Sequence, residues 1–185
     1  YYCDIGSFND NYFIYVAAFG IFTNVPYVTK QETKNFLGYL AYILEGIKRL
    51  NEIKPYNLKV QYNEKTIIGD FIFGMITNST SIGGFKSLTI PHAYLNDGLF
   101  EVTLIRNPKT PIELQEIISA LLTQEPDMRH ILTFRTKKLV ITGDEKISWT
   151  LDGEFGGEHE KVIINNLKEE ISIIGPIGLQ NFDLK

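Results

Sequence analysis

Two Asp-Gly pairs are the residues of this sequence best suited to chemistry. Asp97-Gly98 lies just before an apolar, β-branched segment, and Asp152-Gly153 ends another, within residues 148–160. Asp-Gly is favoured in tight turns that need a positive φ, so each pair taken alone indicates a turn. A turn that presents carbonyl oxygens beside a carboxylate can also hold a hard cation. Each pair therefore has two interpretations, a turn or a functional carboxylate.

Other common catalytic patterns are absent from the sequence. It contains no Walker-type phosphate loop and no GxGxxG or GxSxG motif. The histidines His92, His130 and His159 are far apart and lack the spacing of metal ligands. With Cys3 as the single cysteine, a zinc site is unsupported and an internal disulfide is impossible. Such cysteine usage is typical of a reducing compartment, which predicts a cytoplasmic protein.

Composition and charge indicate an ordinary folded domain. The chain has 185 residues, of which 44% are hydrophobic and 22% charged. Its net charge of −4 lacks the basic footprint of a nucleic-acid binder, so we expect no nucleic-acid partner. Basic residues do gather in two places, near the first predicted helix and at Arg135, Lys137 and Lys138. A solvated charged face is the simplest interpretation of each group, and contact with an anionic lipid surface is the alternative.

The elements that must position the Asp-Gly pairs are mostly strands. Aromatic and β-branched residues predict strands at 12–19, 58–62, 67–76 and 99–105. Five shorter strands are predicted at 131–136, 138–142, 147–151, 161–165 and 170–174. Between the predicted strands 58–62 and 67–76, Asn63-Glu64 predicts a hairpin turn.

Only two helices interrupt the predicted strands. Residues 29–32 and 110–113 both fit a capping box, and Pro111 occupies the favoured first helical position. This pattern differs from the regular alternation of strands and helices in a doubly wound sheet. We predict a mainly β fold, an antiparallel β-sandwich or open barrel with two external α-helices. We expect it to form a single domain over residues 1–185.

Several short motifs, taken in order, resemble the C-terminal domain of the bacterial diacylglycerol kinase and lipid kinase family. The relatives of that family include the sphingosine and ceramide kinases. The motifs are Asp4-Ile5-Gly6, Ala17-Ala18-Phe19-Gly20, residues 37–42, Asn78 with Gly83-Gly84, residues 95–102 and residues 151–154. The last two are the most specific, and together the motifs extend through almost the whole chain.

The resemblance also implies a missing part. In this family a nucleotide-binding lobe with a GGDGT motif comes first, whereas Gly83-Gly84 is followed here by Phe85. The chain also begins at Tyr1 within strand-like residues. We therefore expect a C-terminal lobe whose N-terminal nucleotide-binding lobe is absent from this chain, and we expect the fragment alone to be inactive.

The resemblance assigns roles to both Asp-Gly pairs. Asp152 would be the general base that accepts the proton of a lipid hydroxyl, with Glu154 in a supporting role. A magnesium ion would be held by the Asp97 carboxylate and by the main-chain oxygens of Tyr94 and Leu99, all hard oxygen ligands of the kind that Mg²⁺ prefers.

Further implications concern substrate and partners. Asp4 would lie near an active-site water network. ATP would be the co-substrate, bound mainly by the missing lobe, and a lipid alcohol such as diacylglycerol would be the acceptor, giving the protein a place in phospholipid metabolism. We expect transient, peripheral contact with the inner face of the membrane, and exposed strand edges favour a homodimer.

Two alternatives to a lipid kinase remain open at this point. The chain could be a non-catalytic β-sandwich module that binds a cation or a lipid. It could also belong to a kinase of the same superfamily that acts on another substrate, such as NAD.

Overall fold

A computed structural model describes residues 2–21, 53–78, 95–123 and 129–174 of the chain. Within these ranges lie nine strands and one helix. They are β1 (Tyr2–Phe8), β2 (Asn11–Phe13), β3 (Val16–Gly20), β4 (Tyr56–Tyr62), β5 (Lys65–Thr77), β6 (Phe100–Arg106), α1 (Pro111–Thr123), β7 (Ile131–Thr136), β8 (Lys138–Leu151) and β9 (Glu154–Ser172). The first predicted helix and the Gly83-Gly84 loop lie outside the described residues.

All nine strands form one antiparallel sheet, in the order β2-β1-β9-β8-β3-β5-β6-β7. Strand β4 also pairs with both β5 and β8, so β3 and β4 share the place between these two long strands. Phe13 of β2 stacks on Phe100 of β6 with ring centroids 5.5 Å apart, although these two strands are far apart in the strand order. The sheet therefore curls over itself. The predicted mainly β, antiparallel fold is confirmed.

The inner face of the curled sheet encloses an aromatic core. Trp149 is fully buried and contacts the rings of Phe8 and Phe19 at centroid distances of 5.0 and 4.8 Å. Phe19 in turn needs the glycine at position 74 of β5, since a Cβ atom there would lie 2.1 Å from its ring. Close packing of this kind holds β8, β3 and β5 at fixed separations.

The outer face of the sheet is covered in part by α1. Ile117 and Leu121 of this helix join Phe73, Ile105 and Ile131 of the sheet in one buried cluster. The helix begins as predicted, because the Thr110 hydroxyl oxygen accepts a hydrogen bond from the Glu113 N–H at 3.2 Å. Within the described ranges, no helix combines the length and the apolar character needed to cross a membrane.

The predicted strands differ most from the observed ones in three places, where the prediction was wrong. The predicted strand 12–19 is divided into β2 and β3, because the chain bends at Ile14 and Tyr15. The predicted strands 138–142 and 147–151 are one strand, β8, with an irregular register between Thr142 and Ile147. The strand predicted at 161–165 and the first part of that predicted at 170–174 both belong to β9, which ends at Ser172 and is long because it pairs first with β8 and then with β1.

Candidate functional site

The second Asp-Gly pair forms the tight turn between β8 and β9. Leu151 and Glu154 are paired across the hairpin, and Asp152 and Gly153 connect them with φ values of 47° and 93°. Positive φ at both central residues is typical of the two-residue hairpin turns that favour Asp-Gly. The turn interpretation is therefore confirmed for this pair, and it does not exclude a functional carboxylate.

The carboxylate of Asp152 is held by the bend between β2 and β3. Its Oδ2 accepts a hydrogen bond from the N–H of Ile14 at 2.7 Å, and its Oδ1 accepts from Tyr15 and Val16, both at 2.8 Å. The Asp152 N–H also donates to the Val16 carbonyl at 2.8 Å. Hydrogen bonds to a charged acceptor are strong and directional, so the carboxylate has a fixed orientation.

Asp152 nevertheless keeps an accessible acceptor site. Each carboxylate oxygen offers about two lone-pair directions. From the described residues, Oδ1 accepts two backbone N–H groups, whereas Oδ2 accepts one. Because the residue is exposed to solvent, the remaining direction on Oδ2 can receive the proton of an approaching hydroxyl group.

The first Asp-Gly pair lies in a loop that is anchored from several sides. Asp97 Oδ1 accepts the N–H of Leu99 at 3.0 Å, and its Oδ2 pairs with the guanidinium of Arg135. Gly98 has a φ of 83° and donates its N–H to Asp4 Oδ2 at 2.6 Å. The loop is thus fixed by Arg135 on one side and by Asp4 on the other.

Asp4 is fully buried and joins three segments. Its Oδ1 accepts the N–H of Glu169 at 2.8 Å, while its own N–H donates to the Leu95 carbonyl at 2.7 Å. A buried carboxylate is tolerated when its oxygens are hydrogen-bonded in this way. The resemblance placed Asp4 near an active-site network, and the structure brings it into contact with the loop of Asp97.

Asn78 connects this loop to the Asp152 turn. Its side-chain Nδ2 donates to the carbonyls of Asp4 and Leu95, at 2.7 and 3.4 Å. Its backbone N–H donates to the carbonyl of Tyr15 at 3.2 Å, and the N–H of Tyr15 binds Asp152. A continuous hydrogen-bonded path therefore joins the two Asp-Gly pairs, which are far apart in sequence.

Sequence analysis assigned Asn78 no role beyond its place in a motif. The one signal for more was its position, immediately after β5, where a nearly continuous apolar strand ends in a polar residue. A buried amide at such a point must find partners, and sequence alone does not say which.

Glu101 and Arg135 form a second charged group beside Asp97. Glu101 is only 3% exposed, and its Oε1 accepts a hydrogen bond from Arg135 Nε at 3.1 Å. Burial raises the pKa of Glu101 to about 7, against the opposing effect of the Arg135 charge. Sequence analysis treated Arg135 as part of a charged surface, whereas it bridges two carboxylates.

The predicted magnesium ligands are only partly described. Leu99 and Asp97 lie together in the anchored loop, and Tyr94 lies outside the described residues. The oxygens available suit Mg²⁺ in kind, and among the described residues only Leu99 and Arg135 use lone pairs of the Asp97 carboxylate. No group of three or more histidine, cysteine or acidic side chains converges on a metal position in the described part of the chain.

Glu154 is exposed directly after the turn. Among the described residues, the hydrogen bonds that hold the Asp152 carboxylate come from the backbone of Ile14, Tyr15 and Val16, and none comes from Glu154. A supporting role for Glu154 therefore remains a prediction.

Comparison with known proteins gives a consistent result. Residues 16–168 match the family described as the YegS C-terminal NAD kinase beta sandwich-like domain. A diacylglycerol kinase of Bacillus subtilis (strain 168) is 30% identical over 173 residues, which is 94% of this chain and 56% of that protein. A diacylglycerol kinase of Staphylococcus carnosus (strain TM300) is 29% identical over 183 residues, 98% of this chain and 58% of that protein. The chain thus spans little more than half the length of these relatives.

Solved structures agree on the fold. A crystal structure of a diacylglycerol kinase from Bacillus anthracis strain Sterne has a TM-score of 0.59 and 16% identity, covering 91% of this chain and 52% of that one. A second structure from the same organism, of a proposed diacylglycerol kinase, has a TM-score of 0.66 and 20% identity, covering 91% and 55%. At 16% and 20% identity, the likeness to these structures supports a shared fold alone.

Proposed function

We propose a function from the family to which this chain belongs, the YegS-type, NAD kinase-like C-terminal β-sandwich domains of bacterial diacylglycerol kinases and related lipid kinases. In this proposal the chain is the substrate-binding and base-supplying lobe of an ATP-dependent lipid kinase. The relationship to kinases rests on the family and on the names of its relatives. The observation that supports a catalytic role in this lobe is the exposed Asp152 carboxylate, which three backbone N–H groups orient and whose Oδ2 has one acceptor direction left unused by the described residues.

In the proposed reaction, a lipid alcohol approaches Asp152. The hydroxyl proton moves to Asp152 Oδ2 as the hydroxyl oxygen forms a bond to the γ-phosphorus of ATP. The bond between that phosphorus and the bridging oxygen breaks, and ADP leaves with the electron pair. Phosphoryl transfer has a loose transition state, so the base mainly orients the nucleophile, and a fixed carboxylate is suited to that task.

Magnesium belongs to the same proposal. Asp97 and the carbonyls of Leu99 and Tyr94 would hold the ion, which would supply positive charge and an ordered water shell beside the site. Arg135, Asp4 and Asn78 keep the loop of Asp97 in place through the hydrogen bonds described above. The nucleotide-binding lobe, the membrane and a second copy of the chain are the proposed partners.

A purely structural role for Asp152 is the main competing proposal. A carboxylate that caps three N–H groups of a neighbouring bend would be retained for stability alone, as in a non-catalytic lipid- or cation-binding module. A kinase acting on NAD is a second competitor, favoured by the description of the matching family.

The test is phosphate transfer from labelled ATP to a panel of diacylglycerol, phosphatidylglycerol, a sphingoid base and NAD. The full-length protein that carries this chain is compared with Asp152→Asn and with Thr110→Ala. The second variant loses the cap of α1, which costs about 1 kcal/mol of stability far from Asp152.

We expect transfer to one lipid alcohol, lost in Asp152→Asn and retained in Thr110→Ala. Transfer to NAD alone would favour the NAD kinase. Equal activity of Asp152→Asn and the wild type would exclude Asp152 as the base.

A further inference from the structure

A groove with a volume of about 460 Å³ lies between the β4–β5 turn and the β7–β8 turn. Three lysines line it: Lys65 from β5, Lys137 from the β7–β8 turn and Lys138 from the start of β8. The half-buried Tyr62 and Val140 add apolar surface. The volume is within the range of small-molecule sites, and the groove combines cations with an apolar wall.

The charge in this groove is opposite in sign to that of the protein. The chain has a net charge of −4, whereas the groove has three lysines and a single acid, Glu64. Among the described lysines outside the groove, Lys54 pairs with Glu145 and Lys109 with Asp70. None of the three groove lysines forms an ion pair with a carboxylate in the described ranges. The groove therefore presents three lysine charges that no carboxylate in the described part of the chain pairs with directly.

The walls of the groove are held together by Asn63. Its Nδ2 donates to the Arg135 carbonyl at 2.9 Å, and its Oδ1 accepts from the Thr136 hydroxyl at 2.9 Å. Asn63 and Glu64 have φ values of 43° and 63°, which are uncommon for residues with side chains. The two turns thus form one unit, so the lysines project from a shared and ordered frame.

The groove lies close to the loop of Asp97. Lys138 is paired with Asn165 of β9, and three residues further along β9 the side chain of Lys168 lies 3.5 Å from where a Cβ atom on Gly98 would be. Three residues of a strand span about 10 Å. The groove wall at Asn165 therefore lies about 10 Å along β9 from the loop of Asp97.

We propose that this groove is a second binding site, for a phosphate group. Lysine ammonium groups act as point charges for phosphate oxygens, and three of them around one space can neutralise a phosphate mono- or diester. The apolar surface of Tyr62 and Val140 would receive the carbon substituent of the ester. The phosphate can come from a lipid headgroup or from a soluble metabolite, and the site does not depend on the proposed catalytic role of Asp152.

The test uses the full-length protein and two kinds of probe. Inorganic phosphate and glycerol 3-phosphate are titrated while the amide resonances of Lys65, Lys137 and Lys138 are followed by NMR. Flotation is then measured with phosphatidylcholine vesicles, with and without phosphatidylglycerol. The variant is Lys137→Gln with Lys138→Gln, and the control is Lys146→Gln with Lys161→Gln, an equal loss of charge at exposed positions outside the groove.

We expect saturable shifts at the groove lysines that weaken with salt, and a loss of about tenfold or more in affinity in the groove variant only. Binding of the soluble phosphates identifies a metabolite site, and binding of phosphatidylglycerol vesicles alone identifies a headgroup site. Either result supports the proposal. An absence of saturable binding to all probes would overturn it, as would an equal loss in the control.

Discussion

Replacing Asp152 with asparagine should weaken the fold as well as any chemistry. The wild-type carboxylate accepts three backbone N–H groups, two on Oδ1 and one on Oδ2. An asparagine side chain has one oxygen and one NH₂ group, and the NH₂ group cannot accept a hydrogen bond. The substitution must therefore leave at least one N–H of the β2–β3 bend without its partner.

The geometry allows a rough magnitude. Asparagine loses least if its oxygen faces Tyr15 and Val16, because two bonds then survive and the bond from Ile14 is lost. A hydrogen bond to a charged acceptor contributes about 1.5–3 kcal/mol, and the two survivors are weakened by the loss of charge. Water can solvate part of this exposed site, so we expect a local destabilisation of about 2 kcal/mol.

Hydrogen exchange is the suitable assay, because it reports on the bend itself, and a protein with the proposed second lobe need not unfold in two states. A loss of about 2 kcal/mol predicts exchange about thirtyfold faster at the Ile14, Tyr15 and Val16 amides. Asp144→Asn is the control, because it removes one charge from an exposed position on the same strand. If exchange at the three amides is the same in Asp152→Asn and the wild type, the carboxylate does not hold the bend.

The remaining predictions concern pH, the connecting amide and the inner core. The pKa of Glu101 is raised from 4.5 to about 7, so its folded form holds a proton that the unfolded chain has lost. The free energy of unfolding should fall by about 3 kcal/mol as pH rises from 4.5 through 7. This part of the pH dependence should disappear in Glu101→Gln. The same profile of stability against pH in the variant and the wild type would refute the raised pKa of Glu101. Asn78→Ala should cost about 1–3 kcal/mol and speed amide exchange in the loop of Gly98, because it removes the donors to two carbonyls; slow exchange there would show that the loop is held without it. Gly74→Ala should lower stability by about 1–3 kcal/mol in thermal unfolding, since its methyl group overlaps the Phe19 ring, and a neutral effect would mean that the core can yield.

Local patterns in the sequence predicted those parts of the fold that depend on neighbouring residues. Strand β7 has the predicted bounds, residues 131–136, and α1 begins at its predicted cap. The turn at Asn63-Glu64 and the turn at Asp152-Gly153 are also correct, because turn chemistry is decided within four residues.

Features that depend on distant partners could not be predicted in this way. The apolar segment 12–19 is uniform in type, and its break at Ile14 reflects a carboxylate more than a hundred residues away. Sequence analysis did not predict the full length of β9. Residues 168–170 are polar and exposed although they continue the strand, so the pattern indicated two separate strands. Arg135 and Asn78 owe their positions in the site to strand order, which periodicity does not specify.

The hydrogen bonds of Asp152 also bear on how the protein folds. They join residues that are 136 to 138 positions apart in the chain, whereas the β8–β9 hairpin that carries Asp152 pairs neighbouring segments. Local hairpins form quickly, whereas contacts across long loops form slowly because the entropic cost of closing the loop must be overcome first. The Asp152 turn should therefore exist early in folding, and it acquires its fixed carboxylate only when the N-terminal strands arrive, so the candidate site is among the last parts of the domain to be completed.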